Sequence, residues 1–220
     1  MTSSTTISNN GSSVPPAQLY YSHHFNPRVA VAVARYLQAP VSYLRSSPRD
    51  PRFEPTFRAI NPNSLVPILV EPHRTIWETD AIACCLSEMV GSDFWRKGEQ
   101  LAEMIMWLSW SAHHLNRVAG DLYFHRISRP TFSDEKCDPS VLAEAEREFK
   151  IYAAILDRQL ADRSWLVGNK ISYADFRVAT ALPFADAAGL PLNNFPHVKR
   201  WHDQLLEIDA WRTPFAGLPG

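Results

Sequence analysis

The sequence predicts an α/β domain followed by an all-helical one. Short β-branched and apolar runs separated by turn residues are confined to residues 18–91, and only helical periodicity recurs beyond residue 98. Between them lies a short stretch with a glycine at either end, Gly91 and Gly98. The expected organisation is therefore a tail (1–17), an α/β domain (18–91), a linker (92–98) and a helical domain (99–220).

The tail is Ser, Thr, Asn and Gly with two prolines, too polar to bury surface that would offset its ordering entropy, and is expected to be disordered. Residues 18–22 read as a strand. Residues 27–37 follow as a helix that is apolar on nearly every side (Val29 to Ala34) and is therefore buried, with Pro27 suited to its first turn. A second strand is expected at 41–44, then an irregular segment. Ile68-Leu69-Val70 and Thr75-Ile76-Trp77, joined by a turn at Pro72-His73, read as two antiparallel strands. Pro67 falls at the first residue of its strand, where a missing ladder donor is tolerated. A helix over 80–89 closes a strand, helix, strand, irregular segment, strand, strand, helix order, which is that of a thioredoxin-like domain.

In the second half, Leu101, Ile105, Leu108, Ala112, Leu115, Ala119 and Leu122 recur every three or four residues and predict one helix over 101–126 with a buried stripe. A polar, proline-bearing loop (128–138) precedes an amphipathic helix over 139–162. Ser172 with Asp175 three residues on forms a capping box, and Ile171 with Phe176 a hydrophobic staple.

Composition narrows the function. With 22 basic and 23 acidic residues the net charge is −1, which argues against nucleic acid or an anionic membrane as the main partner. No window approaches a spanning helix and no signal peptide opens the chain, so a cytoplasmic protein acting on a small molecule is expected. Cys84, Cys85 and Cys137 have no metal-ligand spacing, and the neighbouring pairs His23-His24 and His113-His114 diverge on either a strand or a helix. No metal is expected.

Asn61-Pro62-Asn63-Ser64-Leu65-Val66-Pro67-Ile68-Leu69, followed by Glu78-Thr79-Asp80-Ala81-Ile82, resembles the glutathione-binding half of the glutathione S-transferase family, with Ser64 and Thr79 in place of the family's usual glycine and serine. The Ser172/Asp175 box and Pro196 to Trp201 resemble the family's C-terminal motif and late helix, so the likeness spans 19–215. Read alone, the Val66–Pro67 bond would be trans. The resemblance implies a cis bond, with Val66 pairing its backbone to the cysteinyl unit of glutathione as a one-residue strand addition. It further implies that Glu78 takes the γ-glutamyl ammonium and that Thr79, at a positive helix end, takes the carboxylate. Without the resemblance, Thr79 is equally an N-cap and Glu78 a solvated charge.

The family works by making a thiolate. Lowering a free thiol's pKa by two units takes about 2.7 kcal/mol, which one charge-assisted hydrogen bond and a helix N-terminus can supply. Candidates lie between Tyr20 and Arg28. Asn26 ranks first, since its amide would present two donors at the start of the first helix; Ser22 ranks second and Tyr21 third. Asn26 is also a plausible plain N-cap and Tyr21 a strand core residue. A backbone N–H such as that of Arg28 is the remaining donor.

For an electrophile, Trp110, His113 and Arg117 share one helical stripe that pairs an aromatic wall with a cation, while Asn116 reaches back toward glutathione. The resemblance thus implies a homodimeric glutathione transferase acting on a small hydrophobic electrophile, with Asp80 near the partner's glutathione. Asparagine in the catalytic slot also resembles glutathione-dependent disulfide reductases, and a peroxidase or a non-catalytic glutathione-binding scaffold shares the fold.

Overall fold

The computed structural model describes residues 17–48 and 50–218; the expected tail, apart from Ala17, lies outside them. Ala17 already opens the first strand, β1 (Ala17–Tyr21), whose alternating burial places Leu19 and Tyr21 inside and Gln18 and Tyr20 toward the surface. Helix α1 (Phe25–Tyr36) follows, then β2 (Val41–Arg45), α2 (Glu54–Ile60), β3 (Ile68–Glu71), β4 (Arg74–Trp77) and α3 (Thr79–Met89). The sheet order is β2-β1-β3-β4, with β1 and β2 parallel and the other two pairings antiparallel. This is the expected thioredoxin-like arrangement.

The apolar run of α1 is buried from Pro27 through Ala34, as its lack of a polar face requires. Removing Val29, Val31 and Val33 from water contributes about 1.5 to 3 kcal/mol apiece before entropy is counted. α1 packs beside α3, whereas Tyr20 looks the other way and meets Phe57 of α2 edge-on at 5.8 Å. The segment expected to be irregular thus contains α2, a seven-residue helix. Its length and its early Pro55 leave too little periodicity to read.

The second half is helical: α4 (Glu99–His113), α5 (Leu115–Tyr123), a π-helical turn (Phe124–Ser128), α6 (Pro139–Gln159), α7 (Tyr173–Val178), α8 (Ala185–Ala188), α9 (Pro196–Leu206) and α10 (Asp209–Arg212). The single helix expected over 101–126 is broken at His114, whose φ of −121° and ψ of −90° leave the helical region. Beyond the break Leu115, Ala119 and Leu122 are buried, whereas Ile105 is 50% exposed and Ala112 is also exposed. The stripe was one of spacing, and the break rotates its two parts apart.

The segment between α3 and α4 is anchored. Phe94 is buried and its carbonyl accepts from Tyr173 N at 2.9 Å, while buried Arg96 donates to the carbonyls of Lys170 and Ile171 at 2.7 and 2.9 Å. Both contacts tie it to the start of α7. There the capping box forms: Asp175 accepts from Ser172 N at 2.8 Å and Ser172 Oγ at 3.1 Å, and also from Leu166 N and Trp201 Nε1. Burial pushes the Asp175 carboxyl up to about 6, against these hydrogen bonds, which pull it down.

Candidate functional site

Strand register gathers the first set of candidates. Tyr20 pairs with Ile68 and Ile68 with Trp77, so the Val66–Pro67 bond entering β3, Glu78 leaving β4 and Ser22 leaving β1 lie at the same end of the sheet. The turn leading in is knitted by Asn61, whose Oδ1 accepts from Asn63 N at 3.0 Å and whose Nδ2 donates to Leu65 O at 2.8 Å. Ser64, standing where the resemblance has glycine, takes a φ of +48°, a conformation glycine adopts at least cost. The Val66–Pro67 bond is cis, as the resemblance implies.

Glu78 is exposed at a φ of +71°, unusual for any residue but glycine. It is the N-cap of α3 and makes no side-chain cap hydrogen bond. Thr79 is the first helical residue and is buried, which removes the reading of Thr79 as a plain N-cap. Its Oγ1 lies 3.5 Å from the Asn26 carbonyl, the outer limit of a hydrogen bond. The N-termini of α1 and α3 therefore meet at one end of the sheet.

Asn26 is exposed in the first turn of α1, whose N-cap is His24, so the N-cap reading of Asn26 is also set aside. The α1 N-terminus likewise lacks a side-chain cap. Among the described residues the Asn26 Nδ2 donors and the half-buried Ser22 hydroxyl have no hydrogen-bond partner. Tyr21 is corrected. It is fully buried, stacked on Phe215 at 5.6 Å with its hydroxyl pKa raised by burial, and is a strand core residue with no surface to offer a ligand. Arg28 N–H is committed to the His24 carbonyl at 3.0 Å.

The stripe of Trp110, His113 and Arg117 is not brought to this junction. Trp110 packs with Trp107, His114 and Tyr152 between α4 and α6. His113 is exposed and bonded back to the Ser109 carbonyl at 2.8 Å, and Arg117 is paired with Glu148 of α6. The break at His114 turns the other face of α5 toward α1. On that face Asn116 donates to the Arg177 carbonyl at 2.8 Å, rather than reaching for a ligand, and Tyr123 meets Phe25 at 5.1 Å. Phe184 completes an aromatic group, 4.8 Å from Tyr123 and 6.3 Å from Phe25. Asp80, expected to face a partner subunit, is held within its own chain: the Tyr173 hydroxyl donates to Oδ1 at 2.5 Å and Arg177 Nε lies 2.9 Å from the same oxygen.

The family model described as glutathione S-transferase, C-terminal domain, matches residues 115–209. The chain is 28% identical over 160 residues to glutathione S-transferase GstB of Escherichia coli (strain K12), covering 71% of this chain and 76% of that protein. It is 27% identical over 205 residues to the glutathione S-transferase-like protein tpcF of Aspergillus fumigatus, covering 82% and 85%. These matches make the chain similar to glutathione S-transferases over most of its length. Its fold matches human glutathione-S-transferase T1-1 in the apo form with a TM-score of 0.81 at 23% identity, over 91% of this chain and 88% of that one. Glutathione S-transferase I from mais, in complex with an atrazine glutathione conjugate, gives the same TM-score at 19% identity, covering 91% and 97%.

Sequence reasoning missed Phe25, Tyr123, Phe184, Tyr173 and Arg177 as neighbours of the junction. The aromatic residues sit on three separate elements and acquire a common surface only through packing. Ser172 and Asp175 were legible as a cap, and that cap is what delivers Tyr173 and Arg177 to Asp80. Among the described residues no group of three or more His, Cys, Asp or Glu side chains could hold a metal ion, and no helix is long and apolar enough to cross a membrane.

Proposed function

We infer that the chain is a glutathione transferase, binding glutathione where α1 and α3 meet and ionising its thiol there for attack on a small hydrophobic electrophile. The observation that carries this reading is the approach of Thr79 Oγ1 to the Asn26 carbonyl, which joins two helix N-termini without side-chain caps at the end of the sheet where the Val66–Pro67 bond enters β3. Uncapped helix starts leave N–H donors and a positive dipole end for anions, matching the two carboxylates and the thiolate of glutathione. In this reading Glu78 answers the γ-glutamyl ammonium, Thr79 its carboxylate and Val66 the cysteinyl backbone. The Asn26 amide donates to the sulfur, and Ser22 is the alternative donor.

The electrophile is assigned to the aromatic group of Phe25, Tyr123 and Phe184, because Phe25 is the immediate neighbour of Asn26. The complex of the mais enzyme with an atrazine glutathione conjugate supports a hydrophobic second substrate. The proposed homodimer is supported by α4 and α6, which meet through Trp110 against Tyr152. Ile105, Met106, Ile151 and Ile155 are exposed on these two helices.

Calorimetric titration with glutathione, followed by turnover of an aryl halide, tests the reading. Saturable binding with conjugate formation is expected. Binding without turnover of any electrophile in a panel favours the scaffold, and absence of binding removes the assignment altogether.

A further inference from the structure

Arg177 joins the two halves of the molecule at the proposed thiol site. Its Nη1 donates to Asn26 Oδ1 at 3.1 Å, and its Nε lies 2.9 Å from Asp80 Oδ1, the oxygen that also accepts from Tyr173. A guanidinium has five N–H donors and no acceptor, so the end of the Asn26 amide that faces it has to be the oxygen. That sets the amide's rotation. Both Nδ2 hydrogens turn away from Arg177, and among the described residues nothing accepts them.

We propose that Arg177 is a positioning residue that holds the Asn26 side chain with its donors toward the sulfur, and that Asp80 and Tyr173 hold Arg177 for that purpose. The proposal rests on the reading of Asn26 as the thiolate donor. The terminal torsion of asparagine is broad and roughly two-fold, so an unrestrained amide presents either its NH2 or its carbonyl oxygen to the ligand. The oxygen is an acceptor and repels a thiolate. Fixing the rotation therefore acts on the ionised sulfur far more than on the neutral thiol. The Arg177 charge is itself answered by Asp80, which leaves orientation as its contribution. Tyr173 is fully buried, with its hydroxyl pKa held well above the ordinary value by burial and the Asp80 charge; it stays a donor and keeps Asp80 in place.

The test is a cycle of wild type, Asn26→Ala, Arg177→Met and the double variant. Each is saturated with glutathione and followed by ultraviolet thiolate absorbance against pH, with thermal unfolding as a folding control. Asn26→Ala and Arg177→Met are each expected to raise the thiolate pKa by about one unit, roughly threefold less thiolate at neutral pH and tenfold less well below the pKa. The double variant should shift no further than Asn26→Ala alone. kcat should fall about threefold at neutral pH and about tenfold well below the pKa, while glutathione affinity stays within about twofold. Arg177→Lys, which keeps a donor to Oδ1, should recover part of the shift.

Additive shifts in the double variant overturn the proposal, because Arg177 then acts through its own charge. A shift in Asn26→Ala with none in Arg177→Met overturns it while leaving Asn26 as the donor; no shift in Asn26→Ala overturns both. If Arg177→Met does not fold, Asp80→Asn, which removes the charge holding Arg177, takes its place. A smaller rise in pKa is expected from it, and an unchanged value contradicts the proposal.

Discussion

Helix starts in two regions of this chain are built on opposite terms. At α7 the N-terminus is closed: Ser172 and Asp175 cap each other, and the carboxylate gathers four donors in a site with no exposure. At the α1 and α3 starts, neither helix has a side-chain cap, Glu78 sits at a φ of +71° and the Asn26 NH2 is unengaged. The first arrangement maximises stability. The second leaves polar groups open at a cost to the free protein, which is what a site for a charged ligand requires.

The sharpest way to break this contrast is Asp175→Ala. It leaves four buried donors without an acceptor and is expected to cost about 4 kcal/mol or more in chemical denaturation. Glutathione affinity per folded molecule should not change. A variant that kept its stability and lost affinity would invert the roles assigned to the two regions.

The closed region also carries an acid sensitivity. His202 of α9 is buried and its pKa is lowered to about 4 by that burial, with the Asp203 charge opposing and the Arg28 and Lys199 charges adding to it. A histidine whose folded pKa is depressed is kept neutral by the fold, so the unfolded chain binds the extra proton first. Stability is fully present above about 6.5 and falls as pH drops toward 4, by about 2 to 3 kcal/mol from this group. His202→Leu should flatten that part of the wild-type stability profile, read from denaturation at fixed pH. A variant profile parallel to the wild type assigns the sensitivity elsewhere.

Smaller effects separate stability from binding within the open region. Glu78→Gly relieves a left-handed backbone and is expected to stabilise the free protein by up to about 1 kcal/mol, while losing roughly tenfold in glutathione affinity. Thermal unfolding and calorimetry on one preparation should move in opposite directions; affinity left intact would make Glu78 a solvated charge. Thr79→Ala should weaken glutathione by roughly fivefold with a stability loss under about 1 kcal/mol, and equal affinity would leave the carboxylate to backbone N–H groups.

The same contrast explains what could be read from the residues. The capping box, the buried α1 and the strand order are local patterns in which neighbouring side chains specify each other, and they stand in the structure where the sequence puts them. The cis bond at Pro67 was legible only through family resemblance, because no neighbouring residue in the sequence specifies it. Tyr21 takes its alternative reading as a strand core residue, fully buried, which strand alternation alone does not decide because it does not say which face is inside. Trp110, His113 and Arg117 failed because their common stripe assumed one helix, and the chain breaks at His114. Arg177 was invisible, since its partners lie 151 residues away at Asn26 and on a third element at Asp80. Such a bridge has no periodicity to find.

The central claim is that bound glutathione places its sulfur against the Asn26 amide at the meeting of α1 and α3. A crystal structure of the glutathione complex tests it most directly. The account predicts the sulfur within about 3.5 Å of Asn26 Nδ2, with the γ-glutamyl group at Glu78 and Thr79 and the cysteinyl backbone on Val66. A sulfur held instead by Ser22, or a glutathione seated away from the α1 and α3 N-termini, would contradict it.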